Sequence, residues 1–236
     1  MAPPRAVQLN EANAFLKEHP EVQYVDLLIT DMNGVVRGKR IERASLHKVY
    51  EKGINLPASL FALDINGITV ESTGLGMDIG DSDRICFPIP NTLSKEPWQK
   101  RPTAQLLMTM HELDGTPFFA DPREVLRQVV QKFDELGLRI CAAFELEFYL
   151  FDKALKDGLP QYPRDDLSGD ADDQPNMHIE RLSRFAEVLD DISETARLQG
   201  IDTTVITAEI GPGQFEINFS HNADPMQAAD LSALFC

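Results

Sequence analysis

The stretch CAAFELEFYLF, residues 141–151, places Glu145 and Glu147 inside an otherwise apolar and aromatic run. On a strand successive side chains point to opposite faces. Ala143, Glu145, Glu147 and Tyr149 therefore share one face, and Phe144, Leu146, Phe148 and Leu150 the other. Two carboxylates side by side repel and shift each other's pKa unless a cation or a solvent-filled cleft relieves them. The stretch AEIGPGQFEINF, residues 208–219, repeats the pattern: Gln214, Glu216 and Asn218 fall on one face, with Phe215, Ile217 and Phe219 on the other. Its rigid Gly-Pro-Gly turn keeps Glu209 and Glu216 in one supersecondary unit. A single Glu-x-Glu in a strand is an ordinary solvent face, whereas its recurrence beside GPGQ points to bound cations. Glu145, Glu147, Glu209 and Glu216 are hard oxygen donors of the kind that suits Mg²⁺ or Mn²⁺, and the chemistry they predict is a two-metal site for phosphoryl transfer.

The elements that must position these residues follow from periodicity. Residues 10–19 read as a short helix with Asn10 as N-cap, closed by Pro20. VQYVDLLITDMNGVVRGKRIE alternates apolar and polar residues on both sides of DMNG, which predicts a hairpin turning at Asn33-Gly34. SLHKVYEKG predicts a one- or two-turn helix ending at Gly53, and RICFPIP and AQLLMTMHEL predict further strands. Together they predict a compact sheet module, with a boundary near HELDGTPFFADP that divides the chain into residues 1–115 and 116–236. Beyond it, PREVLRQVVQKFDELG places Val125, Val129, Phe133 and Leu136 at helical spacing with Gly137 past the end. The glutamate strand follows, then a long loop over 152–177, a second helix over about 179–200, and the strand–turn–strand that carries Glu209 and Glu216. Helix then strand, twice, predicts an α+β arrangement: a mixed sheet with helices on one face.

Composition narrows the function classes. The 236 residues are 43% hydrophobic, enough for one large domain or two small ones with real cores. A formal charge of −16, with no basic face visible in the sequence for a phosphate backbone, argues against nucleic acid and an anionic membrane as partners. Such a field attracts metal ions and polycationic small molecules, and it also serves plain solubility. No stretch has the apolar length of a membrane span, and MAPPRAVQLN lacks the core of a secretory signal, so a cytoplasmic location is expected. Cys86, Cys141 and Cys236 are odd in number and far apart, as befits reduced thiols. The five histidines show no ligand spacing, and only His221, just past the acidic strand, adjoins the site. GLGMDIGD lacks the Lys-Ser/Thr ending of a phosphate loop. The acidic stretch RDDLSGDADD reads as a solvated connector, with a polyamine-attracting flap as the alternative.

FELEFYLF followed by EIGPGQFEI resembles the glutamine synthetase superfamily, and TDMNGVVRGKR with DSDRICFPIP resembles its N-terminal β-grasp module. The resemblance covers nearly the whole chain in the expected order. LFALDINGITVESTGLGMDIGDSDR is similar to the γ-glutamylpolyamine synthetase branch rather than to the ammonia-using enzymes with their FDGSS-like loop. The resemblance implies that Glu147, Glu209 and Glu216 hold the metal on the glutamate side, and that Glu145 serves a second metal beside the ATP phosphates. It further implies that Glu209 faces the incoming amine, and that Asp64 is an acid lent by one subunit's β-grasp module to its neighbour's site in a homo-oligomer of stacked rings. Glutamate, ATP and an amine or polyamine such as putrescine or spermidine are the implied ligands, joined through a γ-glutamyl phosphate.

The last helix, opened at Asp224-Pro225, reads as having no partner segment for Leu231, Leu234 and Phe235. Members of the resembled family are nearly twice as long, and their second half supplies further metal and phosphate ligands. These 236 residues alone are thus expected to give no ligase turnover. Glutamine synthetase using ammonia, and a non-catalytic assembly or regulatory module, stay open as alternatives.

Overall fold

The computed structural model describes residues 5–163 and 176–236, with the side chains of 5–8 excepted; the acidic stretch 164–173 lies outside the described residues. By compactness the chain divides into Met1–Ile140 with Cys236, and Cys141–Phe235. The expected boundary after residue 115 and this division differ by one helix, which the contacts place in the first unit.

The first unit opens with α1 (Arg5–Glu18). It begins five residues before Asn10, so Asn10 lies inside the helix and does not cap it. The predicted hairpin is β1 (Tyr24–Thr30) and β2 (Val36–Glu42), antiparallel from Tyr24↔Glu42 to Thr30↔Val36. Asp31 closes its turn: Oδ1 accepts the amides of Asn33 (2.8 Å) and Val35 (3.0 Å), while Gly34 takes φ +77°. Then come α2 (Leu46–Lys52), β3 (Ile54–Pro57), β4 (Asp83–Pro88), β5 (Ser94–Lys95) and β6 (Thr103–His111). The sheet order is β2-β1-β6-β4-β3, with β5 also on β6, and β1 runs parallel to β6 while the other pairs are antiparallel. The central β6 is buried along almost its whole length, as a strand covered on both faces must be. Val25, Leu27 and Ile29 of β1 pack with Ala12 and Leu16 of α1, Leu46, Val49 and Tyr50 of α2, and Phe61 and Phe118.

Helix α3 (Pro122–Glu135) is anchored by Asp121. This buried carboxylate caps the helix through Arg123 N (2.9 Å) and also accepts from Thr109 Oγ1 (2.9 Å) and the Met110 amide (2.8 Å) of β6. Gly137 at φ +71° ends the helix, its amide bonding Asp134 O while Leu138 N bonds Phe133 O. The apolar stripe at helical spacing is exposed: Val125, Val129, Phe133 and Leu136 all lie at the surface.

In the second unit β7 (Glu145–Tyr149), β8 (Thr203–Ala208) and β9 (Gln214–Phe219) form an antiparallel sheet of order β7-β9-β8. Among the described residues parallel pairing occurs only between β1 and β6, so the mixed sheet is the first unit's. The helix expected over 179–200 is two: α4 (Ile179–Arg184) and α5 (Ala186–Leu198). Phe185 breaks it, with φ −102° and ψ 14°, and its ring meets Phe215 edge-on at 5.1 Å. Leu189, Ala208 and Phe215 centre the core, flanked by Phe148, Leu182 and Val188. Residues 152–163 form irregular turns. Helix α6 (Pro225–Phe235) is capped by Asp224, whose Oδ1 accepts from Met226 N and Gln227 N at 3.0 and 3.2 Å. It does have a partner: Phe235 packs edge-on against Phe219 of β9 at 5.1 Å, and Leu234 is buried. Among the described residues no helix is long and apolar enough to cross a membrane, and the three cysteines are free thiols.

Candidate functional site

The register of β7-β9-β8 sorts the second unit's sheet into two faces. Glu145↔Asn218, Glu147↔Glu216 and Tyr149↔Gln214 pair across β7 and β9, and Val205↔Asn218 and Thr207↔Glu216 across β8 and β9. Glu209 N bonds Gln214 O at 3.0 Å, which carries the β8–β9 ladder one residue further. Alternation then places Glu145, Glu147, Glu209 and Glu216 on one face with Gln214, Asn218 and Tyr149, while Phe148, Phe215, Ile217, Ile206 and Ala208 take the other. The buried apolar face fixes this register, because a one-residue slip would turn Phe215 and Ile217 to water and the glutamates inward. Directly opposite residues hold their Cβ atoms roughly 5 Å apart, so Glu147 and Glu216 are immediate neighbours.

The turn between β8 and β9 is built for close approach. Gly213 has φ +69°, and a Cβ there would lie 2.7 Å from Leu150 O. A Cβ on Gly211 would lie 2.7 Å from Gln214 Oε1 and 2.9 Å from both Cε1 and the phenolic oxygen of Tyr149. Into that space fits the Gln214 carboxamide: Oε1 accepts from Gly211 N at 2.8 Å and Nε2 donates to Glu147 Oε2 at 2.6 Å. Sequence reasoning placed Gln214 on the right face but gave it no task. The only signal was its position next to the Gly-Pro-Gly turn.

Among the described residues no three His, Cys, Asp or Glu side chains are drawn together closely enough to hold a metal ion. The four glutamates share a face without converging on a point. Their chemistry nonetheless fits a hard divalent cation: the charged groups on the face are all carboxylates, and the buried Asn218 Oδ1, opposite Glu145, has no hydrogen-bond partner among the described residues. Asp64 belongs to the first unit, where Oδ1 accepts from Asn66 N (2.8 Å) and Ile68 N (2.9 Å) and so shapes its own turn. His221 is exposed.

Residues 119–235, which carry the whole β7-β9-β8 face, match the family model "Glutamine synthetase, catalytic domain". Among curated proteins the chain is 42% identical to the γ-glutamylputrescine synthetase of Escherichia coli K12 over 93% of its own length and 47% of that protein. It is 30% identical to a glutamate–isopropylamine ligase of a Pseudomonas species over 94% of its length and 48% of that protein. A solved structure described as a novel glutamine synthase homolog superposes with a TM-score of 0.73 at 22% identity, covering 91% of this chain and 47% of that one, a likeness of fold. The chain spans about half the length of the curated relatives it matches. A catalytic-domain match that coincides with the acidic face, together with relatives aligned over nearly the whole chain, shows that this protein belongs to the glutamine synthetase superfamily.

Proposed function

We propose that these residues form part of an ATP-dependent ligase that joins the γ-carboxylate of glutamate to an amine, with a polyamine such as putrescine or spermidine as the acceptor. The observation that carries the reading is the cross-strand pair Glu147↔Glu216, with Glu145 and Glu209 on the same face of one sheet. The names of the two relatives, a γ-glutamylputrescine synthetase and a glutamate–isopropylamine ligase, support an organic amine over ammonia.

In this reading Glu147, Glu209 and Glu216 hold the Mg²⁺ or Mn²⁺ beside glutamate, and Glu145 the one that accompanies the ATP phosphates. Divalent ions bound there neutralise charge on the phosphoryl oxygens. A γ-carboxylate oxygen of glutamate takes the terminal phosphoryl group and ADP leaves. The amine nitrogen then adds to the acyl carbon and phosphate leaves. An amine arrives as an ammonium ion with no free lone pair, so a base must take its proton. Glu209 faces that proton and accepts it, which is general-base work suited to a carboxylate.

The same proposal includes a β-grasp first unit, in keeping with its β1–β2 hairpin, α2 and the parallel β1–β6 pair. It includes a homo-oligomer in which Asp64 serves a neighbouring copy. Ile65 and Ile68, beside Asp64, are 69% and 64% exposed, an apolar edge suited to such a contact. A cytoplasmic location accords with three free thiols. The 236 residues by themselves give no turnover in this reading, since they span about half the length of the relatives they match and the further metal and phosphate ligands lie in the other half.

The test is formation of the γ-glutamyl amide, read by mass spectrometry, with the chain fused to the second half of the E. coli relative. Putrescine, spermidine, monoalkylamines and ammonium are compared. The expected order places polyamines first. Preference for ammonium overturns the polyamine acceptor, and absence of any amide overturns the ligase.

A further inference from the structure

We propose that Gln214 is a positioning residue for Glu147, fixing one carboxylate oxygen so that the other is presented to a divalent cation; this rests on the reading of Glu147 as a cation ligand. Glu147 is exposed, and an exposed glutamate has many rotamers open to it. Its one side-chain partner among the described residues is Gln214 Nε2, at 2.6 Å.

The carboxamide is itself held at both ends. Oε1 accepts the Gly211 amide at 2.8 Å, and because a backbone N–H can only donate, this bond sets which end of the amide faces Glu147. The backbone of Gln214 closes the same turn, its N–H donating to Gly211 O at 3.0 Å and its carbonyl accepting from Glu209 N at 3.0 Å. The space that the carboxamide fills exists only because residue 211 lacks a side chain. The chain from turn to carboxylate is therefore Gly211, Gln214, Glu147, with each link a hydrogen bond. A neutral amide suits the task, since it orients an acid without adding a fifth negative charge to a face that already carries four. Outer partners of this kind orient a ligand, and losing one typically costs about 10- to 100-fold in cation affinity.

The experiment is Mn²⁺ binding by electron paramagnetic resonance on the 236-residue chain, with urea unfolding run alongside. Gln214→Leu keeps the bulk and removes both hydrogen bonds; the expected result is a Mn²⁺ Kd raised by about 10- to 100-fold. A purely structural role would lower the unfolding midpoint and leave the Kd unmoved. Should Gln214→Leu fail to fold, Gly211→Ala decides, because its Cβ displaces the carboxamide while Gln214 itself remains, and the same weakening is expected. Glu147→Ala separates the two layers. If it abolishes binding while the deciding variant stays within about twofold of the parent, Gln214 is not a positioning residue and Glu147 remains a ligand. If Glu147→Ala also binds normally, or the parent binds no Mn²⁺, the cation reading of Glu147 falls, and the role of Gln214 with it.

Discussion

Glu147 of β7 lies directly opposite Glu216 of β9, and among the described residues no lysine or arginine is ion-paired to either. Like charges in register across two strands cost stability. The sheet keeps them together because Phe215 and Ile217, at the centre of its other face, are buried and favour one register. The acidic pair is thus held in place by the core beneath it, and a divalent cation is what would convert its repulsion into binding.

The turn that joins the two acidic strands should be intolerant of any side chain. Gly213→Ala meets both a left-handed φ, which costs an L-residue about 1–2 kcal/mol, and Leu150 O at 2.7 Å. The second unit is expected to lose roughly 2 kcal/mol or more, read by hydrogen exchange of the β8 and β9 amides.

Asp121 ties α3 to β6. Its removal in Asp121→Ala deletes the helix cap and leaves the buried Met110 amide without its acceptor. The expected loss is about 2–4 kcal/mol in urea unfolding. Asp121→Asn, which keeps an acceptor oxygen, should recover part of it.

Glu96 gives the first unit a pH dependence. Burial, and then the nearby Asp26 carboxylate, push its carboxyl up to about 7, although Arg40, bidentate on Asp26 at 2.6 Å, works against this. An acid whose folded pKa is raised binds its proton more tightly when folded. Below the ordinary glutamate range both states are protonated and nothing is lost. As pH rises from about 4.5 to 7 the unfolded chain gives up the proton first, so stability falls. The fall should be on the order of 1 kcal/mol, less than the full linkage because Asp26 and Arg40 are partly solvated. Glu96→Gln should flatten the curve and stabilise the protein at pH 8. Fluorescence of Trp98, the only tryptophan, is a local readout two residues away.

What the sequence makes legible here is what alternation and turn chemistry encode. The Asn33-Gly34 hairpin, the Asp121 and Asp224 caps, and the two glutamate strands all show themselves because a side-chain period or a cap has a local physical cause. Short strands do not: Ile54–Pro57 and Ser94–Lys95 have too few residues for any period, and they exist because β4 and β6 offer them edges. The break at Phe185 is set by the Phe215 ring that it packs against, a contact distant in sequence. Helix α1 begins before Asn10 despite the capping potential of that residue, since propensity is a weak prior against packing. The face shared by four carboxylates could be read from parity, whereas Gln214's hold on Glu147 depends on a backbone turn that parity does not describe.

The central claim is that the acidic face of β7-β9-β8 is a site for divalent cations, and titration of the chain with Mn²⁺ tests it most directly. Saturable binding by the parent, weakened at least about tenfold by either Glu147→Ala or Glu216→Ala, is the predicted result, in line with the loss of one oxygen donor from a site built of few. Equal affinity in all three proteins would contradict it.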